Sequence, residues 1–418
     1  MSILEEAVYE VENGNPEKGL NLLKNYESKA SDDELFSIGQ LYYEWGLLDR
    51  AIDLYQRLLT LYPDESEIKL VLADAYVDIE KDEHAIELLN SITKEDDFYV
   101  QALIQSADLY QSQGLFEVAE QKLLKAKTIL PTEPIIDYAL GELAFSMGEY
   151  RKSINHYENA LKHRLPEQEL LVKERLAEAL AATGKWEEAL EYYDSIGAEN
   201  EDSDFLFNYG LTAFRSDRMD IAIQVWEKLI SFDPDYVSAY YFLASAYEKE
   251  GMDEKALQWA LQGVEIDGLN KELLHFAGRI SYNRGETDKA VHFLNEAIQI
   301  DPGYKEAVIG LLDIYKKEEM YESIIKLMDT LRLEGEFDPI YQWELARAYY
   351  EMEEYQLALN NYDEAYNSFT SDQEFLKEYG YILVEEGRIQ DAKRVLNQYL
   401  QLDPTDIEVE EYLYRLEL

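Results

Sequence analysis

Apolar residues recur three and four positions apart along this chain, in short stretches that glycine or proline separates. In residues 36–63 the first stretch contains Ile38 and Tyr42, which would share one face of a helix, and the second stretch repeats the pattern. Gly46 lies between the stretches, where a residue that tolerates positive φ favours the end of a helix. Pro63 ends the second stretch, because proline lacks an N–H and disfavours helix at the residue before it. The segment predicts an αα-hairpin.

The same unit recurs about every 34 residues. Gly39 and Ala51 are small where the two helices must approach closely, and Tyr42 and Tyr55 fill the space between them. The small residue of the first helix recurs as Ala7, Gly39, Ala73, Ala107, Gly141, Ala177, Gly210, Ala244, Gly278, Ala346 and Gly380. The turn glycine recurs as Gly14, Gly46, Gly114, Gly148, Gly184, Gly251, Gly285 and Gly387. So many matches in phase indicate a tandem repeat.

This pattern resembles the tetratricopeptide repeat (TPR), in which small, aromatic, glycine, alanine and proline positions follow one another at fixed offsets. About 12 units cover nearly the whole chain. The unit at 305–338 departs most, because Leu312 and Ile324 stand where the other units have small residues. The resemblance implies an all-α fold, a right-handed α-solenoid (superhelix) of tandem helix–turn–helix hairpins.

The spacing of the units predicts two halves. Residues 1–197 form an N-terminal half and residues 205–404 a C-terminal half, each of about six repeats. Between them lies the acidic stretch 198–204, after which the next unit comes one residue early, and this predicts a linker or joint. Residues 405–418 set apolar side chains against acids and predict an amphipathic capping helix over the last core edge.

Composition narrows the functional classes. With 87 acidic and 38 basic residues, the formal net charge is −49, which argues against nucleic acid as a partner and favours basic partners. The chain has no cysteine, so it offers no disulfide and no thiolate metal site. Its first residues are acidic where a signal peptide is basic, and no apolar run is long enough for membrane insertion. We therefore expect a cytoplasmic protein.

In the family that this chain resembles, the first helices of the repeats line a concave groove and usually carry the binding residues. In the N-terminal half these positions include acids and no bases, which predicts a site for a basic segment, formed by Phe36, Gln40, Tyr43, Asp74, Asp108 and Glu142. In the C-terminal half bases and aromatic residues predict a site for an acidic or carboxylate-bearing segment, formed by Phe207, Phe214, Arg215, Tyr241, Lys249, His275, Arg279, Tyr282, Lys316, Lys317, Trp343, Arg347 and Tyr350. The alternative is that these bases only pair with neighbouring acids and that the tyrosines belong to the repeat core.

Catalytic and cofactor motifs are absent from the sequence. The five histidines show no metal-ligand spacing, the glycines are isolated turn residues rather than phosphate-binding loops, and no nucleophile elbow is present. The lysine–asparagine pairs with which some family members clamp chaperone carboxylates are missing as well. We expect neither an enzyme nor a protein that binds a cofactor or a metal.

Three functions fit these observations. The first is a non-enzymatic scaffold or adaptor that binds partner proteins or peptide segments in its concave groove. The alternative is a regulatory receptor for a peptide or ligand, whose superhelix changes on binding. Self-assembly through the end repeats is a third hypothesis, although nothing in the sequence indicates a homo-oligomer.

Overall fold

The protein is described by a computed structural model over residues 2–166, 168–197 and 200–417. Over these ranges the chain forms α-helices and one 3₁₀ turn, with no strand. The all-helical repeat fold expected from the sequence is confirmed. The chain divides into two compact units, unit 1 up to Asn200 and unit 2 from Glu201. Within these ranges, no helix is both long enough and apolar enough to cross a membrane.

The helices of unit 1 pair as consecutive hairpins. They are α1 (Ile3–Glu12), α2 (Pro16–Tyr26), α3 (Asp32–Glu44), α4 (Leu48–Leu61), α5 (Ser66–Asp78), α6 (Asp82–Ser91), α7 (Tyr99–Ser112), α8 (Phe116–Ile129), α9 (Pro134–Ser146), α10 (Tyr150–Lys162), α11 (Glu169–Ala182) and α12 (Trp186–Ile196).

The helices of unit 2 pair in the same way, and a further helix follows the last hairpin. They are α13 (Ser203–Arg215), α14 (Met219–Phe232), α15 (Val237–Lys249), α16 (Asp253–Ile266), α17 (Lys271–Asn283), α18 (Thr287–Ile300), α19 (Lys305–Lys317), α20 (Tyr321–Leu333), α21 (Pro339–Glu351), α22 (Tyr355–Ala365), α23 (Gln373–Glu385), α24 (Ile389–Leu402) and α25 (Ile407–Glu417). The 3₁₀ turn is Tyr366–Ser368, directly after α22.

The turn within each hairpin places one residue in the left-handed region of backbone conformation. The turn glycines predicted from the repeat all have positive φ, between 71° and 80°. Four hairpins have no glycine at this place. There Glu80, Asp217, Glu319 and Glu353 adopt φ between 56° and 63°. This conformation costs a residue with a Cβ atom roughly 1 kcal/mol or more, so these four turns are strained.

Glycine at the strained turns is expected to stabilise the fold. We predict that Glu319→Gly/Glu353→Gly raises the free energy of unfolding by about 1–2 kcal/mol, because glycine adopts positive φ without steric cost. Urea denaturation followed by circular dichroism measures the change. The control is Glu318→Gly, since Glu318 has φ −92° and should gain nothing from glycine. An unchanged unfolding midpoint in the double variant would contradict the strain.

The small residues of the first helices lie against large side chains of the second helices. A Cβ atom at Gly39 would come within 2.6 Å of the Tyr55 ring, and one at Gly141 within 2.4 Å of the Tyr157 ring. Both tyrosines are buried, so neither ring has room to move away. The expected pairing of a small residue with an aromatic one is confirmed at these two positions.

The hairpin of α19 and α20 departs from the others, as its sequence indicates. Leu312 and Ile324 are both buried at positions where the other hairpins have small residues. The two helices touch each other less than those of the other hairpins, because the larger side chains hold them apart.

Equivalent helices of successive hairpins lie side by side. In unit 1, α5 contacts α7 and α7 contacts α9, and in unit 2 the helices α13, α15, α17 and α19 follow one another in the same way. The first helices therefore form a row within each unit, and we call the exposed surface of that row the first-helix face. This is the surface to which the sequence assigned the binding residues.

The predicted joint and cap lie at the two ends of unit 2. Residues 198 and 199 of the predicted joint fall outside the described residues, and its last two, Ser203 and Asp204, already belong to α13. At the other end, α25 places Val409 and Leu413 in a buried cluster with Leu396 of α24. The assignment of 198–204 as a joint stays a prediction.

Candidate functional site

A cleft of about 600 Å³ opens on the first-helix face of unit 1, along α5, α7 and α9. It contains four of the residues that the sequence assigned to a site for a basic segment, namely Tyr43, Asp74, Asp108 and Glu142. A further carboxylate and apolar walls are contributed by Asp78, Val77, Ile104, Ile135 and Ala139. We call this cleft the acidic groove.

Asp74 is the central carboxylate of the acidic groove. Burial raises its pKa to about 6, and the charges of Asp78 and Asp108 act in the same direction. Gln105 of α7 donates a hydrogen bond from Nε2 to Asp74 Oδ2 over 3.0 Å, while its Oε1 is buried without a hydrogen-bond partner. Within the described residues, no basic side chain forms an ion pair with Asp74, Asp78 or Asp108. The groove therefore holds uncompensated negative charge.

Tyr43 of α3 forms one wall of the acidic groove. Burial raises the pKa of its phenol, and a hydrogen bond to Asp78 and the charge of Asp74 raise it further. The phenol therefore stays protonated at neutral pH and adds no charge of its own. Its ring offers a flat aromatic face, which attracts lysine and arginine side chains.

Glu142, the fourth carboxylate of the lining, differs from the others because it has a basic partner. Tyr157 donates to Glu142 Oε1 over 2.5 Å, and the Arg175 guanidinium lies 3.4 Å from Oε2. Arg175 also lies over the ring of Phe145, 5.8 Å from its centroid. Because the chain itself neutralises Glu142, the charge that a ligand can use comes from the carboxylates of α5 and α7.

The other two residues of the predicted N-terminal site lie outside the acidic groove. The Phe36 ring packs against Tyr55 with 5.9 Å between their centroids, and it lines a smaller cleft near the start of α3. Gln40 lines a separate cleft between α1 and α3. Both residues belong to a first helix, but neither contributes to the lining around Asp74.

Two of the predicted bases of unit 2 are engaged by acids of neighbouring hairpins. Both terminal nitrogens of Arg279 donate to the Glu248 carboxylate, one of them over 2.8 Å, and the guanidinium lies over the Phe276 ring. The Lys316 ammonium donates to Glu344 over 3.1 Å, and Glu344 is almost fully buried. These contacts match the alternative in which the bases pair with the protein's own acids.

Arg347 forms the densest of these networks. Its guanidinium donates to Glu378 over 2.7 Å and to Glu374 over 2.6 Å, and it lies 4.2 Å from the centroid of the Trp343 ring. Trp343, which the sequence assigned to the binding surface, is 5% exposed and packs on Phe369. It is therefore a core residue that Arg347 covers. Glu344 also lies 3.4 Å from the Arg347 guanidinium, so an anionic ligand here would have to displace three carboxylates.

Three predicted bases of unit 2 form no ion pair with a carboxylate in the described part of the chain: Arg215, Lys249 and Lys317. The Lys249 ammonium lies 3.9 Å from the centroid of the Phe214 ring, and the Lys317 ammonium lies 5.3 Å from that of Tyr282. These two ammonium groups are thus held on aromatic faces. A site for an acidic segment in unit 2 stays a prediction that would rest on these three residues.

The remaining predicted residues of unit 2 contact the chain itself. Phe207 and Tyr241 both pack edge-on against the Phe242 ring, each with 5.5 Å between ring centroids. Burial lowers the pKa of His275, and the charge of Arg279 lowers it further, so the imidazole is neutral at pH 7. The remaining predicted residue, Tyr350, donates a hydrogen bond to Glu385 over 2.8 Å.

Among the lining residues that the predicted site did not include are two polar ones, Gln105 and Tyr138. Gln105 lies three positions before Asp108, and Tyr138 lies four positions before Glu142. Side chains at these spacings are neighbours on a helix. Examination of the residues one helical turn before each acidic position would have found both.

Tandem αα-hairpins with a cleft on the first-helix face define the class of this molecule, a helical repeat protein of the tetratricopeptide type. Two family profiles agree. The profile described as "YpiA-like, tetratricopeptide repeats" matches residues 111–165, and the one described as "YpiA-like, C-terminal tetratricopeptide repeats" matches residues 339–406. General tetratricopeptide repeat profiles match residues 4–66, 42–107, 174–204, 207–271 and 272–304.

A relative that matches the whole length of the chain shows the family to which it belongs. The TPR repeat-containing protein YpiA of Bacillus subtilis (strain 168) is 41% identical over 416 residues, which span 100% of this chain and 98% of that protein. The chain belongs to the YpiA-like tetratricopeptide repeat proteins. Proteins with this repeat generally mediate protein–protein interaction, and the scaffold is typical of non-catalytic proteins.

Similarity extends more weakly to other repeat proteins. The TPR repeat-containing protein MJ1428 of Methanocaldococcus jannaschii is 20% identical over 449 residues, which span 91% of this chain and 76% of that protein. The crystal structure of YrrB, described as a TPR protein with an unusual peptide-binding site, is 18% identical with a TM-score of 0.40. That comparison covers 44% of this chain and 95% of YrrB.

Proposed function

We propose that this protein is a scaffold that holds a partner protein by an extended basic segment in the acidic groove of unit 1. The observation that carries the proposal is the set of carboxylates of Asp74, Asp78 and Asp108, which share one cleft and have no basic partner among the described residues. Their mutual repulsion disfavours the ionised, empty groove. A lysine or arginine side chain that enters the groove removes this repulsion, so the groove favours a cationic ligand.

The walls of the acidic groove suit the two parts of a long basic side chain. The apolar lining formed by Val77, Ile104 and Ile135 can cover the aliphatic stem of a lysine or arginine. The rings of Tyr43 and Tyr138 lie within the same lining, where they can receive the charged end by cation–π contact. The groove therefore offers affinity from apolar contact in addition to charge.

The net charge of −49 has a separate role. It attracts any basic partner over long range and raises the association rate, but it does not select a place on the surface. The selection comes from the acidic groove. In unit 2 the equivalent face neutralises Glu248, Glu344 and Glu378 with the chain's own bases. This contrast favours unit 1 as the place where a basic segment binds.

The proposal is tested with a fluorescein-labelled peptide of alternating lysine and glycine, whose binding is measured by fluorescence anisotropy. We predict that Asp78→Asn/Asp108→Asn weakens binding about fivefold, because both carboxylates are exposed and salt screens part of their attraction. The same peptide with serine in place of lysine should not bind.

The matched control removes the same charge elsewhere in unit 1. Asp64→Asn/Asp97→Asn replaces two exposed loop carboxylates and should change the dissociation constant less than twofold. Circular dichroism verifies that both variants keep their helix content. Equal weakening by the two pairs would show that net charge, not the acidic groove, attracts the peptide, and the proposed function would then be wrong.

A further inference from the structure

A second cleft on the first-helix face of unit 1 has a different chemistry. It measures about 560 Å³ and lies between α1 and α3. Its floor is apolar, with Leu4 and Val8 from α1 and Leu41 from α3, and the Tyr9 side chain beside it is 54% exposed. We call this cleft the apolar groove.

Carboxylates stand at the rim of the apolar groove. Glu12 of α1 and Glu44 of α3 both line it and are both exposed, and no basic residue belongs to the lining. An apolar floor with an acidic rim is complementary to apolar side chains that are followed or preceded by lysine or arginine. The rim disfavours an acidic segment, because its carboxylates would repel it.

The apolar groove and the acidic groove meet at one helix. Gln40 and Glu44 of α3 line the first, and Tyr43 of the same helix lines the second. A segment that lies along the first helices can therefore contact both. Its apolar residues would lie between α1 and α3, and its basic residues would lie between α5 and α7.

We infer that the basic partner segment carries a pair of apolar residues beside its lysines or arginines, and that the apolar groove binds this pair and fixes the register of the segment. The inference rests on the proposed function, because it adds a second contact to the same ligand. The acidic groove attracts the segment by charge. The apolar groove distinguishes it from other basic sequences, since charge alone does not separate one lysine-rich peptide from another.

The test compares two labelled peptides by fluorescence anisotropy, the lysine–glycine peptide and the same peptide extended by two leucines through a short glycine spacer. With the leucines at whichever end binds better, wild-type protein should bind the extended peptide about tenfold more tightly, as expected for partial burial of two leucine side chains. Val8→Ser/Tyr9→Ala should lose this gain and still bind the plain lysine peptide as wild type does.

Matched variants separate the possible outcomes. Tyr414→Ala removes a tyrosine of α25 that is 63% exposed, and it should leave both affinities unchanged. If the leucines bring no gain while the lysine peptide binds normally, the inference is wrong and the proposed function stands. If neither peptide binds wild-type protein, both are wrong. A gain that survives Val8→Ser/Tyr9→Ala would place the leucines elsewhere and would also overturn the inference.

Discussion

Replacement of Trp226 by alanine is expected to lower the free energy of unfolding of unit 2 by about 4 kcal/mol, at the upper end of single core substitutions. The indole is fully buried, and its Nε1 donates to the backbone oxygen of Phe207 over 3.3 Å. Phe214 and Phe242 pack around it, with ring centroids 5.8 Å and 5.7 Å away. Alanine would leave a cavity that these rings cannot fill, because each is held by further neighbours.

Urea denaturation followed by circular dichroism measures the loss, since the far-ultraviolet signal of the helices does not depend on the tryptophan itself. Trp186→Ala is the matched control, because Trp186 is 38% exposed and its removal should cost less than about 1 kcal/mol. Equal costs at the two positions would contradict the central place of Trp226 in its repeat. The packing around Trp226 is also close at Gly210, where a Cβ atom would lie 2.4 Å from Trp226 Nε1.

Asp74→Asn is expected to act in opposite directions on stability and binding. The folded-state pKa of Asp74, about 6, lies above its ordinary value of 3.8 because of burial and the charges of Asp78 and Asp108. Ionised Asp74 therefore lowers the stability of the free protein above pH 6, and this penalty disappears as the pH falls from 6 towards 4. Asparagine removes the penalty, so the variant should be about 1–2 kcal/mol more stable at pH 7.5.

The same substitution should weaken binding of the lysine peptide about tenfold. This effect is larger than that of Asp78→Asn/Asp108→Asn, because a partly buried charge is less screened by salt than an exposed one. Wild-type affinity should also fall as the pH decreases from 7.5 to 5, and the variant should lose most of that dependence. Asp64→Asn, in an exposed loop, controls for the removal of one charge. A variant that loses stability, or keeps the peptide affinity of wild type, would show that Asp74 serves folding rather than binding.

The hairpins were predictable because each repeat position has one physical requirement. Gly39 must be small to admit the ring of Tyr55, and Gly46 must adopt positive φ. The strained turns at Glu319 and Glu353 were not predictable, since glutamate carries no local signal for a left-handed conformation. Tertiary packing of the two flanking helices imposes it.

The candidate site was predictable only in part. The repeat register assigned Asp74 and Asp108 to first helices, and both line the acidic groove. It could not reveal that Arg279 and Arg347 are already paired, because the pairing depends on how closely two hairpins approach in space. For the same reason the sequence treated Trp343 as a surface residue, although the fold buries it.

Several contacts between neighbouring first helices share one interval along the chain. Asp74 with Gln105, and Arg347 with Glu378, are each 31 positions apart, which is one repeat less one helical turn. Glu142 and Arg175 are 33 positions apart, and the connection between α10 and α11 accounts for the two additional residues. The two additional loop residues therefore do not change which position of the next first helix makes the contact. Substitution at this interval can add or remove a cation opposite an acid while the hairpin cores stay intact, so each groove can gain or lose charge independently of the fold.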